Sequence, residues 1–145
     1  MVWVADSFEG LPKPDATRYP VDAGDDHWKS NGYLAVSLES VQENFKHYGF
    51  LDDRVRFLKG WFKDTVPTAP ITKLAVARLD GDMYDSTIQA LESLYPKVSA
   101  RGYLIIDDYG LGGCKAAVSD YRGANNIREE IQHVDCTGIY WRRMK

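Results

Sequence analysis

Four aspartates have a type and spacing that can do chemistry: Asp80 and Asp82 in the run Asp80-Gly81-Asp82, and the adjacent pair Asp107 and Asp108. Carboxylates crowded at one place repel each other. A divalent cation relieves that repulsion, and hard oxygen ligands suit Mg²⁺, Ca²⁺ or Mn²⁺. Such a cation can hold a substrate hydroxyl and lower its pKa, which makes a nucleophile near neutral pH. Taken singly, each aspartate has an ordinary reading, with Asp80 and Asp85 as helix caps and Asp107 and Asp108 as turn formers. The chemical reading gains when the four are placed on their elements.

Residues 74–79 (LAVARL) form a short, mostly apolar run that stops at Asp80. Residues 103–106 (YLII) form a second, which stops at Asp107. Neither alternates clearly, which suits strands buried on both faces. Between them Ile88, Leu91, Leu94 and Tyr95 recur at helical spacing. Asp85 or Ser86 can cap that helix, and Pro96 ends its regularity. A strand, helix and strand with a connection this long is a crossover unit, so the two strands run parallel. All four aspartates then fall at the carboxyl ends of neighbouring strands, the edge where open α/β sheets bind ligands.

The chain has 145 residues, the length of one domain, and is 44% hydrophobic, enough to bury a core. A net charge of −3 and a pI near 5.6 argue against nucleic acid or an anionic membrane as partner. Cys114 and Cys136 have no metal-ligand spacing around them, which suggests reduced thiols in a cytoplasmic protein. No signal peptide and no apolar run of membrane-spanning length is seen.

In chain order, residues 2–5 read as a strand ending at Asp6, followed by a turn through Ser7 to Gly10. Residues 11–33 are polar and irregular, a loop long enough to be a lid or binding segment, and contain Asp22 and His27. Ser37 caps a helix with Leu38, Val41, Phe45 and Tyr48 on one face, and Gly49 ends it. Residues 55–58 are the next strand, turning at Gly60-Trp61-Phe62. Gly112-Gly113 opens a helix with Cys114, Ala117, Val118 and Tyr121 on a common side. Residues 130–134 and 139–142 read as an antiparallel hairpin turning at Thr137-Gly138. The sum is an α/β fold of about three helices on a mostly parallel sheet. Asp6, at a strand end, suits the hydroxyls of a ribose, and Trp61 or Phe62 suits a flat base; each also reads as an ordinary turn or core residue. Arg142 and Arg143 read as solvated.

The segments ADSFEGLPKPD, VRFLKGWFKDTVP, RLDGDMYDST, IIDDYG and GIYWRR, in this order, resemble the macrocin O-methyltransferase (TylF-like) family. That family comprises Mg²⁺-dependent methyltransferases that use S-adenosylmethionine and act on sugar hydroxyls of macrolide-type and other glycosylated natural products. The resemblance implies a class I methyltransferase (Rossmann-like) fold, with the metal on Asp80, Asp107 and Asp108. Asp80 would also be the catalytic base and touch the cofactor. Asp6, with Ser7 beside it, would match the ribose-binding site, and Gly60 and Trp61 the turn beside the adenine. Residues 11–33 would match the segment over the acceptor. Related catechol-type enzymes carry a lysine base just after the acidic turn, where this chain has Met83.

The family's glycine-rich first strand and helix do not appear in this sequence, which opens on the strand at Val2. The expectation is therefore one N-terminally truncated methyltransferase-like domain. The strands at Val2 and Leu74 would then pair directly, or a second copy would fill the gap and give a homo-oligomer. The alternative function is a non-catalytic homologue kept as a binding module. A receiver-like phospho-acceptor domain fits less well, because its acidic pair would follow the first strand.

Overall fold

The computed structural model describes residues 1–145, apart from the side chain of Asn31. Its elements are β1 (Val2–Asp6), α1 (Asn31–Leu34), α2 (Leu38–His47), β2 (Val55–Lys59), α3 (Phe62–Thr65), β3 (Leu74–Leu79), α4 (Tyr84–Leu94), β4 (Val98–Ile106), α5 (Gly112–Ala124), β5 (Gln132–His133) and β6 (Ile139–Arg142). Single 3-10 turns lie at Pro20–Asp22, His27–Ser30 and Tyr95–Lys97. The chain divides into two compact units, residues 1–13 with 25–69, and residues 14–24 with 70–145.

The first unit is built on a parallel pair, β1 with β2, in register from Val2 opposite Val55 to Asp6 opposite Lys59. Ser37 caps α2 as its sequence predicts, with Oγ accepting from the Ser40 amide at 3.2 Å. Gly49 ends that helix at φ +72°, a conformation that glycine adopts without a Cβ penalty. Phe45 of α2 meets Phe57 of β2 edge to face, with ring centroids 5.6 Å apart. Tyr48, expected on the same inner face, is exposed.

The second unit carries a sheet in the order β3-β4-β6-β5. β3 and β4 are parallel, β6 is antiparallel to β4, and β5 to β6. One face holds the core. Leu79, Leu104, Ile106, Ile139 and Trp141 are buried there, as are Leu91 of α4 and Cys114, Ala117, Val118 and Tyr121 of α5. The opposite face carries Val76, Arg78, Tyr103 and Arg142, all exposed. The strands are thus covered on one face rather than both. Arg78 and Arg142 mark the polar side of an alternation that the apolar run of β3 hides.

The ladder also differs from the expected direct pairing of the first and third strands. Among the described residues, β1 bonds only with β2, and β3 only with β4. β4 begins at Val98, ahead of the expected residue 103, because its first half is irregular. The register shifts between Leu74 and Val76, and Arg101 sits at φ +68°. A Cβ on Gly102 would lie 2.8 Å from the Ala75 carbonyl, so only glycine fits this close approach. Arg143 is not a solvated terminal charge. Its Nη1 donates to the carbonyls of Tyr95, Pro96 and Val98 at 2.8, 3.0 and 2.6 Å, satisfying groups where α4 gives way to β4.

Candidate metal and cofactor site

The crossover unit sets the geometry. With β3 and β4 parallel and paired Leu79 to Ile106, the chain leaves both strands at one edge. The Asp107 amide donates to the Leu79 carbonyl at 2.9 Å and extends the ladder one residue into the acidic turn. Oxygens of Asp80, Asp107 and Asp108 lie within 4.8 Å of one another. Asp82 is not in that set. It joins through its backbone, whose amide donates to Asp108 Oδ2 at 3.1 Å, with Asp82 itself at φ +55°. Three carboxylates therefore meet, and the fourth shapes the turn.

Arg78 is the residue that sequence reasoning missed. Its Nη2 lies 3.0 Å from Asp80 Oδ2 and 2.5 Å from Asp107 Oδ2. One guanidinium thus bridges the two outer carboxylates from the exposed face of β3. A charged residue alternating with apolar ones in a strand that ends in aspartate was the available signal.

Asp108 is the half-buried member, and its pKa is raised to about 7. Burial is the main cause, and the charges of Asp82 and Asp80 add to it, against the hydrogen bond from the Asp82 amide. A carboxylate held protonated by burial and like charges is one that a cation would ionise. The donor set, all carboxylate oxygen with one member short of a counter-charge, fits a hard divalent ion. Met83, directly after the acidic turn, is buried, and its thioether supplies no base there.

This environment predicts a pH dependence. Between the unfolded value of 3.8 and the folded value of about 7, native Asp108 keeps a proton that the unfolded chain has lost. Stability must then fall as pH rises through that window, since the native state binds more protons. In a chelating buffer, the difference in Tm between wild type and Asp108→Asn should widen in favour of the variant from pH 4 to about 7. Adding Mg²⁺ should raise the wild-type Tm most at the upper end. Thermal melts across that range check both statements.

The remaining candidates lie in the first unit, at the carboxyl end of its parallel pair. The Gly60 amide donates to the Asp6 carbonyl at 2.9 Å, so the turns after β1 and β2 are tied together. Asp6 Oδ1 accepts the Phe8 amide at 2.6 Å, and the Ser7 hydroxyl donates to the Gly10 carbonyl at 2.7 Å. Ser7 is buried and Asp6 is exposed. Gly60 stands at φ +137°, where an added Cβ would also lie 2.8 Å from Thr65 Cγ2, so this turn requires glycine. Trp61 occupies the N-cap of α3, a short helix the sequence did not announce. Asp6, Ser7, Gly60 and Trp61 are thus neighbours at one edge. His27 pairs with Asp25, two residues earlier, its Nδ1 3.1 Å from Asp25 Oδ2.

The family model described as Macrocin-O-methyltransferase (TylF) matches residues 1–143. The chain belongs to that family. The resemblance carried by the five sequence segments, to a family of methyltransferases dependent on S-adenosylmethionine, is therefore borne out. An 8-demethyl-8-(2,3-dimethoxy-alpha-L-rhamnosyl)-tetracenomycin-C 4'-O-methyltransferase from Streptomyces olivaceus is 55% identical over 141 residues, covering 97% of this chain and 54% of that protein. A mycinamicin III 3''-O-methyltransferase from Micromonospora griseorubida is 51% identical over 144 residues, covering 98% of this chain and 57% of that protein. The solved O-methyltransferase NovP superposes with a TM-score of 0.96 at 51% identity, over 99% of this chain and 60% of its own. The chain spans about half the length of the curated relatives it matches. The α/β fold with mixed parallel and antiparallel pairing is that of NovP.

Proposed function

We propose that this chain is the metal-bearing part of an O-methyltransferase that uses S-adenosylmethionine and Mg²⁺ to methylate a sugar hydroxyl of a glycosylated natural product. The carrying observation is the convergence of Asp80, Asp107 and Asp108 within 4.8 Å at the end of a parallel strand pair. Family membership gives that cluster its chemical sense, and the relatives named for a rhamnosyl-tetracenomycin and for mycinamicin III give the acceptor class.

Bound S-adenosylmethionine supplies an electrophilic methyl group, and bound Mg²⁺ supplies positive charge that acidifies the acceptor hydroxyl. Asp80, Asp107 and Asp108 would hold the ion. Asp80 is the most accessible of the three and would accept the acceptor proton, while Arg78 keeps its carboxylate aimed at the cluster. Asp6, beside Ser7, would accept hydrogen bonds from ribose hydroxyls, and the Gly60–Trp61 turn would receive the adenine. Holding nucleophile and methyl in line would give most of the rate, since the displacement needs no covalent step on the protein. A homo-oligomer belongs to the same reading, and sedimentation of a stable monomer would remove it.

The test is titration calorimetry with S-adenosylmethionine, with and without Mg²⁺. The proposal expects micromolar binding that strengthens with the ion. No binding in either condition would overturn the enzyme reading for this chain and leave the non-catalytic alternative.

A further inference from the structure

The helix α4 is not capped from its own sequence. Its N-cap, Met83, offers no side-chain acceptor, and neither Asp85 nor Ser86 takes that position. The cap comes instead from Asp22, more than sixty residues earlier: Oδ1 accepts the Tyr84 amide at 2.8 Å and Oδ2 the Asp85 amide at 3.0 Å. Asp22 is 2% exposed, so its carboxylate is withdrawn from water and depends on these donors. A 3-10 turn presents it, closed by the Asp22 amide on the Tyr19 carbonyl and the Ala23 amide on the Pro20 carbonyl. The Tyr19 ring lies against Tyr84, with centroids 5.1 Å apart. The opening turn of α5 closes the third side. A Cβ on Gly113 would lie 2.5 Å from Asp22 Oδ1 and 2.9 Å from the Tyr84 amide nitrogen.

The position of this cap gives it a functional meaning. Asp80 begins a turn whose exit is α4. On one side of the buried Met83, the Asp82 amide is held by Asp108. On the other, the Tyr84 and Asp85 amides are held by Asp22. Two carboxylates from distant parts of the chain thus hold three amides, those of Asp82, Tyr84 and Asp85, where the acidic turn enters α4. We propose that Asp22 is a positioning residue, a latch that docks residues 14–24 onto α4 and holds the turn that carries Asp80. The turn keeps its shape only while the segment is docked. The inference rests on the metal reading of Asp80 in its consequence for the site, and on geometry alone for the latch.

Hydrogen exchange on the wild-type protein tests the latch directly. The amides of Ala23, Tyr84 and Asp85 should exchange through one shared opening, at lower cost than the β4 amides of Leu104 and Ile106. Protection of Tyr84 and Asp85 equal to that of β4, with residues 14–24 exchanging freely, would overturn the latch. Two variants extend the test. Asp22→Asn keeps one acceptor but turns an amide donor toward the other N–H, and Gly113→Ala pushes a methyl group into the carboxylate. Each should speed tryptic cleavage after Arg18 by about tenfold or more, the loss expected for a charge-assisted bond left unmade. Each should also lower protection of the Asp82 amide and weaken Mn²⁺ binding measured by EPR. Wild-type rates of cleavage and Asp82 exchange in a folded Asp22→Asn protein would overturn the proposal. If the wild type itself takes no Mn²⁺, the metal reading fails, and the exchange and cleavage results still decide the latch.

Discussion

Under the proposed function, Asp80→Asn should leave the protein folded and reduce methyl transfer by about 10²- to 10⁴-fold, the usual contribution of a positioned general base. The fold should survive because the Asp80 side chain is about half exposed, and its ion pair with Arg78 is one between accessible groups. Such pairs contribute about 0–1 kcal/mol, so little stability is at stake. Activity should fall for two separable reasons. The variant keeps an oxygen that can approach a cation but loses the charge that binds it, and it can no longer accept a proton. Mn²⁺ affinity measured beside methyl transfer separates these effects. A loss of activity that saturating metal does not restore assigns Asp80 the base role, and full restoration leaves it a ligand only. Asp108→Asn is the informative contrast. Asn resembles the protonated acid that burial favours, and its carbonyl can still accept the Asp82 amide. That variant should therefore weaken metal binding while holding or raising Tm. Retention of full methyl transfer and metal affinity by Asp80→Asn would remove the cluster from the proposed chemistry.

How far the sequence disclosed this site depends on the range of the interactions involved. The crossover unit was legible because its signals are local: an apolar run stopped by aspartate, helical spacing from Ile88 to Leu91, and Pro96 at the helix end. Parallel strands joined by a helix must present their ends together, so the meeting of Asp80 with Asp107 and Asp108 followed from topology. The cap of α2 by Ser37 was legible for the same reason, since acceptor and donor lie three residues apart. Long-range partners were hidden. Asp85 and Ser86 stand where a local cap belongs, and nothing near them announces that Asp22 takes their place. Arg78 passed unnoticed inside a mostly apolar run, because its role depends on Asp107, twenty-nine residues away. The start of β4 was lost because Arg101 and Gly102 bend it, and an irregular strand lacks the pattern by which strands are recognised. The left-handed turn at Asp82 uses a residue that tolerates this conformation, and the partner that its amide finds there, Asp108, lies twenty-six residues away.

Trp141→Ala should cost about 3–5 kcal/mol, the range for removing a large buried aromatic, which is a large fraction of the roughly 5–15 kcal/mol that holds a typical domain together. Trp141 has no solvent exposure and stands opposite Leu104 in the antiparallel β4–β6 ladder. Its ring is packed by Tyr95 at 6.2 Å and covered by the Arg122 guanidinium at 4.6 Å. Truncation would therefore open a cavity beneath the middle of the sheet and strip a half-buried cation of the ring face it rests on. The loss reaches the acidic edge through β4. Leu104 lies three residues before Asp107, and Ile106, directly before it, is paired with Ile139 of the same strand β6. A sheet loosened at Trp141 should let Asp107 and Asp108 drift from Asp80. Metal affinity is then expected to fall with stability in Trp141→Ala and to recover in Trp141→Phe, which refills much of the volume. Denaturant melts paired with Mn²⁺ titrations below each variant's Tm distinguish this from simple unfolding. If a folded Trp141→Ala protein bound the ion as tightly as wild type, the acidic edge would owe its geometry to its own hydrogen bonds and not to the core behind it.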